Sequence, residues 1–134
     1  ATTALPLYYP PVRIGGREYL DGGLRAVLPL EVAAGLEADV VVAVNVGPGS
    51  DETPAEAPDD TPALVRLHDV ATGALMAENI QGHLARWRAD RARPPLIYIR
   101  PRLEREATFK VESAARFAEV GYAAAMEAIA AWRG

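Results

Sequence analysis

Two short runs of alternating apolar and polar residues lie near the start of the chain. Val12–Ile14 and Arg17–Leu20 flank the pair Gly15-Gly16. A Gly-Gly pair supplies the positive φ angles that a two-residue hairpin turn requires. The sequence therefore predicts a β-hairpin. Its second arm ends in Asp21-Gly22-Gly23, which predicts a sharp turn that carries a carboxylate into open space.

The next segment predicts a strand of a parallel sheet. A helix signal at Leu28–Leu36, with Pro29 in its first turn, is followed by the β-branched run Val40–Val46. Such a continuous apolar run is typical of a strand that is buried on both faces. The second hairpin arm, the short helix and this strand together fit a βαβ unit of about 25 residues.

Two longer periodic stretches predict helices. Apolar residues recur every three or four positions from Leu64 to Trp87 and again from Val111 to Trp132. Pro94-Pro95 ends the first helix, and Leu96–Ile99 follows as a further predicted strand. The sequence thus predicts an α/β fold. The acidic, proline-rich residues 50–62 predict a mobile loop.

Composition narrows the classes of function. The 134 residues suffice for one domain, and the net charge of -4 with dispersed arginines argues against a nucleic-acid partner. The chain contains no cysteine, which excludes disulfides and thiolate chemistry. The longest apolar run is far shorter than the roughly 20 residues of a membrane span, so any membrane contact is expected to be peripheral. The sequence shows no signal peptide, and a cytoplasmic location is favoured.

Asp21 is the candidate that carries chemistry, and two interpretations of it stay open. A carboxylate at the end of a strand and before a helix lies where open α/β sheets place ligands and catalytic groups. Gly22 and Gly23 would let the backbone turn and let another segment approach closely. Alternatively, Asp21 belongs to a plain turn and caps backbone N–H groups.

The other candidate groups form no complete site. Ser50 and Ser113 are the two serines, and neither lies in a G-x-S-x-G frame. His68 and His83 are fifteen residues apart on one predicted helix, too far to share a metal, so surface or packing roles are favoured. We expect no metal and no cofactor. Gly47-Pro48-Gly49 resembles a phosphate-binding loop but lacks a third glycine, a lysine and an immediate helix.

The first 23 residues, ATTALPLYYPPVRIGGREYLDGG, resemble the patatin-like phospholipase family. Small bacterial members carry the pattern A-S-x-A-x-P…P-P-V-x-I-x-G-x-x-Y-x-D-G-G. Residues 38–47, ADVVVAVNVG, resemble the family's G-A-D-x-V-I-A-V strand. Pro101, Phe109 and the helix around Gly121–Ala125 are similar to its C-terminal end.

This resemblance implies a fold and an activity. The fold is a three-layer α/β/α sandwich with a mainly parallel sheet, of which residues 1–134 would form the C-terminal part. The activity is hydrolysis of lipid acyl esters by a Ser–Asp dyad, in which Asp21 would take the serine proton and Gly22 and Gly23 would support its turn. The serine elbow and the oxyanion loop of this family belong to the N-terminal half of the domain.

The resemblance also implies a partner. Because Ala1 falls inside the family motif, we expect a cleaved or split protein or a shortened fragment, with the serine supplied by another segment or chain. Missing strands would expose apolar faces and edges, so the lone chain should pair with that segment or self-associate. Two alternatives are a non-catalytic binding or assembly module that uses the acidic loop at 51–62, and a nucleotide-binding domain that uses Gly47-Pro48-Gly49.

Overall fold

The computed structural model describes residues 4–47, 62–103 and 111–133 of the chain. These residues form a mixed α/β structure, as the pattern predicts, with two 3₁₀ turns at Gly22–Leu24 and Val111–Ser113. The strands and helices in chain order are β1 (Val12–Ile14), β2 (Arg17–Tyr19), α1 (Leu30–Ala34), β3 (Val41–Val44), α2 (Ala63–Ala89), β4 (Leu96–Ile99) and α3 (Ala114–Arg133). The predicted acidic loop at 50–62 lies outside the described residues except for Pro62.

The described residues fall into two compact units. The first holds residues 4–27 and 62–82, and the second holds residues 28–47 with those from 83 onward. Helix α2 contributes its first twenty residues to the first unit and its last seven to the second.

The hairpin of the first unit is confirmed. Gly15 and Gly16 have φ angles of +57° and +77°, as a primed two-residue turn requires, and β1 pairs with β2 in antiparallel register. Arg13 and Glu18 face each other and form an ion pair of 2.8 Å. However, the prediction that the second arm starts a βαβ unit is wrong. Every residue of β1 and β2 is exposed, so the hairpin has no buried face to place in a central sheet.

The parallel sheet of the second unit pairs β3 with β4, and the intervening helix is α2. Val41 lies opposite Leu96 and Val44 opposite Ile99. Two further backbone bonds extend the ladder, from Val41 N to Pro95 O and from Asn45 N to Ile99 O, each 2.9 Å. Among the described residues, β3, α2 and β4 thus follow one another in βαβ order along the chain.

The core of the second unit packs around Trp87. Its indole Nε1 donates to the Pro94 carbonyl at 3.1 Å, and the Arg93 guanidinium lies 5.0 Å from the centre of its ring. The other buried apolar residues of this unit are Leu28, Leu30, Val41, Ala43, Leu84, Ile97 and Ile99. The tryptophan thus joins the end of α2 to the start of β4.

The expectation that the β-branched strand is buried on both faces is wrong. Val41 and Ala43 are buried, but Val42 and Val44, on the opposite face, are 55% and 52% exposed. Their register partners Ile97 and Ile99 are buried, and helix α3 packs against β4. Within the described residues, β3 has a neighbouring strand on one edge only. Part of this apolar face is therefore left uncovered.

The two long helices form as predicted, but their apolar stripes are only partly covered. In α2 the buried apolar residues are Ala77, Ile80, Leu84 and Trp87, whereas Leu67 and Leu75 are exposed. The described residues of α3 include no buried side chain. Its largest exposed apolar side chains are Tyr122, Met126 and Trp132. Both helices therefore expose apolar side chains.

An ion pair at Arg93 gives the stability of the second unit a predictable pH dependence. The guanidinium donates to both carboxylate oxygens of Glu31, at 3.1 and 2.8 Å, and to Asp90 Oδ2 at 3.2 Å. The hydrogen bond from Arg93 holds the pKa of Glu31 below its ordinary value of 4.5. A carboxylate with a lowered folded pKa stabilises the fold above its unfolded pKa, and this contribution is lost as pH falls through the folded pKa.

Glu31→Gln is therefore expected to lower the free energy of unfolding at neutral pH. The difference between wild type and variant should shrink as the pH falls below about 4.5. Urea titrations at several pH values between about 7 and about 3 measure this difference. Glu37→Gln is the matched control, because Glu37 is exposed and has no ion pair or hydrogen bond within the described part of the chain. A difference that stays constant with pH would contradict this assignment.

Candidate active site

The Asp21 turn follows β2 by two residues and opens the 3₁₀ turn Gly22–Leu24. Asp21 has φ −58° and ψ 129°, which is extended backbone, and its carboxylate Oδ1 accepts a hydrogen bond of 2.6 Å from Gly23 N. Arg25 N then donates to Gly22 O at 3.0 Å and closes the turn. The aspartate is thus the N-cap of a short helical turn.

The backbone of Asp21 is tied to a buried residue near the start of the chain. Asp21 N donates to the carbonyl of Ala4 at 3.1 Å, and Ala4 is 3% exposed. The other end of the turn is tied to helix α2, because Asn79 Nδ2 donates to the carbonyl of Arg25 at 3.0 Å. The carboxylate therefore lies on a backbone that is fixed on both sides.

The structure shows the capping interaction that the plain-turn interpretation of Asp21 predicts. Its carboxylate caps a backbone N–H, and the side chain is half-buried rather than pointing into open space. The turn follows the exposed hairpin of the first unit. The cap uses Oδ1 alone. Oδ2 has no hydrogen-bond partner within the residues that the structure describes, so an oxygen that can accept a proton remains.

The two glycines of the turn differ in their surroundings. A Cβ on Gly23 would lie 2.8 Å from Asp21 Oδ1 and 3.6 Å from Met76 Cε, whereas a Cβ on Gly22 would meet nothing within 4 Å. Neither glycine has a positive φ angle. Close approach of the carboxylate, and not backbone conformation, is therefore what requires a glycine at position 23.

Gly23→Ala is expected to displace the Asp21 carboxylate and break its bond to Gly23 N. The chain should stay folded, because the atom that must move is the end of a side chain. Gly22→Ala is the matched control and should leave the carboxylate in place. Nuclear magnetic resonance of the amide at position 23 measures this, since loss of the short bond moves its resonance upfield. An equal shift of this amide resonance in Gly23→Ala and Gly22→Ala would contradict the difference between the surroundings of the two glycines.

The described residues of the first unit contain Asp21 but neither of the two serines of the chain. Ser50 lies outside the described residues, and Ser113 lies in the 3₁₀ turn before α3, in the second unit. The described residues of the first unit include no serine or cysteine. The site that the structure describes is therefore a carboxylate without a nucleophile.

A polar cluster in the first unit was not predicted from the sequence. Tyr8 OH donates to Asp69 Oδ2 at 2.7 Å, and His68 Nδ1 lies 3.3 Å from Asp69 Oδ1. Thr72 Oγ1 lies 3.4 Å from His68 Nε2. The spacing of His68 and Thr72, four residues apart on one helix, was a readable signal, but Tyr8 is 61 residues away from Asp69. His68 is thus a member of a hydrogen-bonded cluster.

The buried side-chain amide of Asn45 lies directly after the carboxyl end of β3. Asn45 is 1% exposed, its Nδ2 donates to Tyr98 OH at 3.0 Å, and its Oδ1 accepts from Gly47 N at 2.9 Å. The N–H of Gly47 is therefore already paired within the chain and does not point at a ligand. This contact speaks against a phosphate-binding role for Gly47, whereas Pro48 and Gly49 lie outside the described residues.

Within the described ranges no three His, Cys, Asp or Glu side chains come together to hold a metal ion. In the same part of the chain no helix is both long and apolar enough to cross a membrane.

His83, predicted as a surface or packing residue, is half-buried, and its Nδ1 is buried without a partner among the described residues.

Part of the chain is similar to a known protein family. Residues 1–34 match the family model described as patatin-like phospholipase. Curated proteins give no match to the chain. The patatin-like match covers the hairpin, the Asp21 turn and α1, which is 34 of the 134 residues. It supports a lipid-hydrolase family and, with it, hydrolase activity in general.

Proposed function

We propose that this chain carries the aspartate of a Ser–Asp dyad in a lipid acyl hydrolase that cleaves carboxylic esters. The observation that carries this proposal is that the patatin-like match includes the Asp21 turn. At that turn the backbone is fixed, Oδ1 is held by Gly23 N, and Oδ2 has no partner among the described residues. A fixed carboxylate with one oxygen left over is what a general base requires.

In the proposed chemistry Asp21 accepts a proton and returns it once during acylation and once during deacylation. Its Oδ2 accepts the proton of a serine hydroxyl while the serine oxygen attacks the ester carbonyl. The carboxylic acid so formed returns the proton to the leaving alcohol, and an acyl-serine remains. Water then attacks the acyl-serine and gives a proton to the same carboxylate. Asp21 passes this proton to the departing serine oxygen, which releases the fatty acid and restores the serine hydroxyl. A histidine is not needed, because the aspartate takes the proton directly.

The serine is proposed to come from a segment other than residues 1–134, because neither Ser50 nor Ser113 lies on a G-x-S-x-G elbow. On this proposal the chain is the C-terminal part of a three-layer α/β/α domain. The uncovered face of β3 at Val42 and Val44 supports it, since strands of a parallel sheet are normally covered on both faces. The serine-bearing segment would then supply the neighbouring strands.

The test joins the chain to a serine-bearing segment of a patatin-like domain. The complex is given a chromogenic short-chain ester, and release of the alcohol is measured. Turnover by the complex but by neither part alone is the expected result. Absence of turnover in a complex of confirmed 1:1 composition would refute the proposal.

A second candidate is a non-catalytic binding or assembly module. The exposed Tyr122, Met126 and Trp132 on α3 favour it, because large exposed apolar side chains are a common feature of protein contacts. A complex with a protein that carries no serine elbow, together with no ester turnover, would decide for this candidate.

A further inference from the structure

We propose that Tyr8 and Asp69 are positioning residues for Asp21. The hydrogen bond between their side chains fastens the segment Ala4–Tyr9 to helix α2, and this segment in turn holds the backbone of Asp21. All the residues concerned belong to the first unit. The effect of Tyr8 on catalysis rests on the proposed role of Asp21 as general base. The positioning of the Asp21 backbone by Tyr8 does not depend on that role.

The first link is the bond between Tyr8 and Asp69. The phenolic O–H donates to a carboxylate oxygen at 2.7 Å, which is the length of a charge-assisted hydrogen bond. This bond also raises the pKa of Tyr8 above its ordinary value of 10.0, because losing the proton would bring two negative oxygens together. The bond thus gives Tyr8 a measurable signature that its neighbour Tyr9 can be compared with.

The second link is the turn that joins Tyr8 to Ala4. The amides of Tyr8 and Tyr9 both donate to the carbonyl of Leu5, at 3.2 and 2.9 Å. Leu7 has a φ angle of +69°, a left-handed conformation that is unfavourable for a side chain of this size. Leu7 itself is 60% exposed, so packing of its side chain does not hold the conformation. Contacts of its neighbours, the Tyr8 bond among them, must do so.

The third link runs from Ala4 to the carboxylate. Asp21 N donates to Ala4 O at 3.1 Å, and the adjacent Asp21 side chain accepts from Gly23 N. The path from the Tyr8 hydroxyl to the Asp21 carboxylate therefore consists of one short turn and one backbone bond. A change at Tyr8 reaches Asp21 without passing through the hairpin.

The orientation of Asp69 is also fixed. His68 Nδ1 lies 3.3 Å from Asp69 Oδ1, so the other oxygen, Oδ2, is the one directed to Tyr8. Thr72 Oγ1, at 3.4 Å from His68 Nε2, can donate to that nitrogen when Nδ1 carries the proton. His68 and Thr72 thus hold the acceptor in place. None of these four side chains needs to touch substrate for the effect to occur.

Amide hydrogen exchange on the purified chain tests the structural content directly. Tyr8→Phe removes the hydroxyl and keeps the ring, and we expect the amides of Asp21 and Gly23 to exchange about tenfold faster. Tyr9→Phe is the matched control, since the Tyr9 hydroxyl has no hydrogen bond within the described residues, and it should leave both rates unchanged. Rates at Asp21 and Gly23 that stay within about twofold of wild type in Tyr8→Phe would overturn the proposal.

Asp69→Asn provides a second variant in case Tyr8→Phe opens the whole first unit. It retains an acceptor oxygen of the same shape but removes the charge, so a smaller rise at the same two amides is expected. The pKa of Tyr8 should fall toward its ordinary value in this variant, as measured by ultraviolet titration with Tyr8→Phe as the blank. An unchanged Tyr8 titration in Asp69→Asn would show that the bond does not form in solution.

Ester hydrolysis by the complex separates this proposal from the proposed function. If Asp21 is the general base, Tyr8→Phe should lower kcat severalfold and leave KM unchanged, because the proposed role of Tyr8 acts on the proton transfer. A complex without turnover would refute the catalytic role of Asp21, while the exchange rates would still decide whether Tyr8 positions it. A change in KM alone would contradict the positioning role.

Discussion

Asp21→Asn is expected to lower kcat for ester hydrolysis by roughly 10²–10⁴-fold in the complex with a serine-bearing segment. Asparagine has the size of aspartate, and its amide oxygen can still accept the hydrogen bond from Gly23 N. It cannot accept the serine proton. The variant should therefore fold as wild type does and bind the ester with a similar KM, while the proton transfer fails. Steady-state turnover of a chromogenic short-chain ester measures both constants.

The control for this experiment is Asp39→Asn. Asp39 is an exposed carboxylate just before β3, without an ion pair or hydrogen bond within the described part of the chain. Its replacement removes the same charge from the chain and should leave kcat unchanged. Melting curves of both variants by circular dichroism would show that neither change unfolds the chain. Turnover of Asp21→Asn within about twofold of wild type would exclude Asp21 as the general base.

The lone chain is expected to associate at micromolar concentration. Val42, Val44 and Val46 are 55%, 52% and 68% exposed, and within the described residues β3 carries a strand on one edge only. An apolar strand with an open edge pairs readily with another chain. Size-exclusion chromatography with light scattering should give a mass above that of one chain, and the serine-bearing segment should convert this material to a 1:1 complex.

A paired substitution tests whether this face is responsible. Val42→Lys with Val44→Lys places two charges on the uncovered face, and both self-association and binding of the segment should weaken at least tenfold. Val12→Lys is the control, because Val12 is an exposed valine on the hairpin. Equal weakening by the control, or a folded and monodisperse monomer with a cooperative melt in the wild-type chain, would contradict the proposed partner.

Local chemistry made the hairpin and the Asp21 turn predictable. Gly15-Gly16 requires positive φ angles wherever it occurs between two short strands, so the turn follows from four or five residues. The position of Asp21 after the second strand follows in the same way. Helix α2 and strand β4 are also local features, since Pro94-Pro95 separates a helical period from an apolar run.

Pairing over long distances in the chain was not predictable in this way. The partner of β3 is Leu96–Ile99, more than fifty residues later, and the sequence of neither strand indicates which strand it pairs with. The Tyr8–Asp69 bond joins residues 61 positions apart for the same reason. The exposure of Val42 depends on which other segments are present, which a periodic pattern does not encode. The choice of Oδ1 for the Gly23 bond likewise depends on a rotamer that no spacing fixes.

The most direct test of the central claim is the rapid-mixing burst of alcohol release when the complex meets an excess of a chromogenic ester. Acylation of the serine is the step in which Asp21 takes the proton, and the burst measures this step separately from the release of the acid. The account predicts a burst of one equivalent per complex with the wild-type chain and none on the same timescale with Asp21→Asn. A burst of unchanged rate in Asp21→Asn, or with the serine-bearing segment alone, would contradict it.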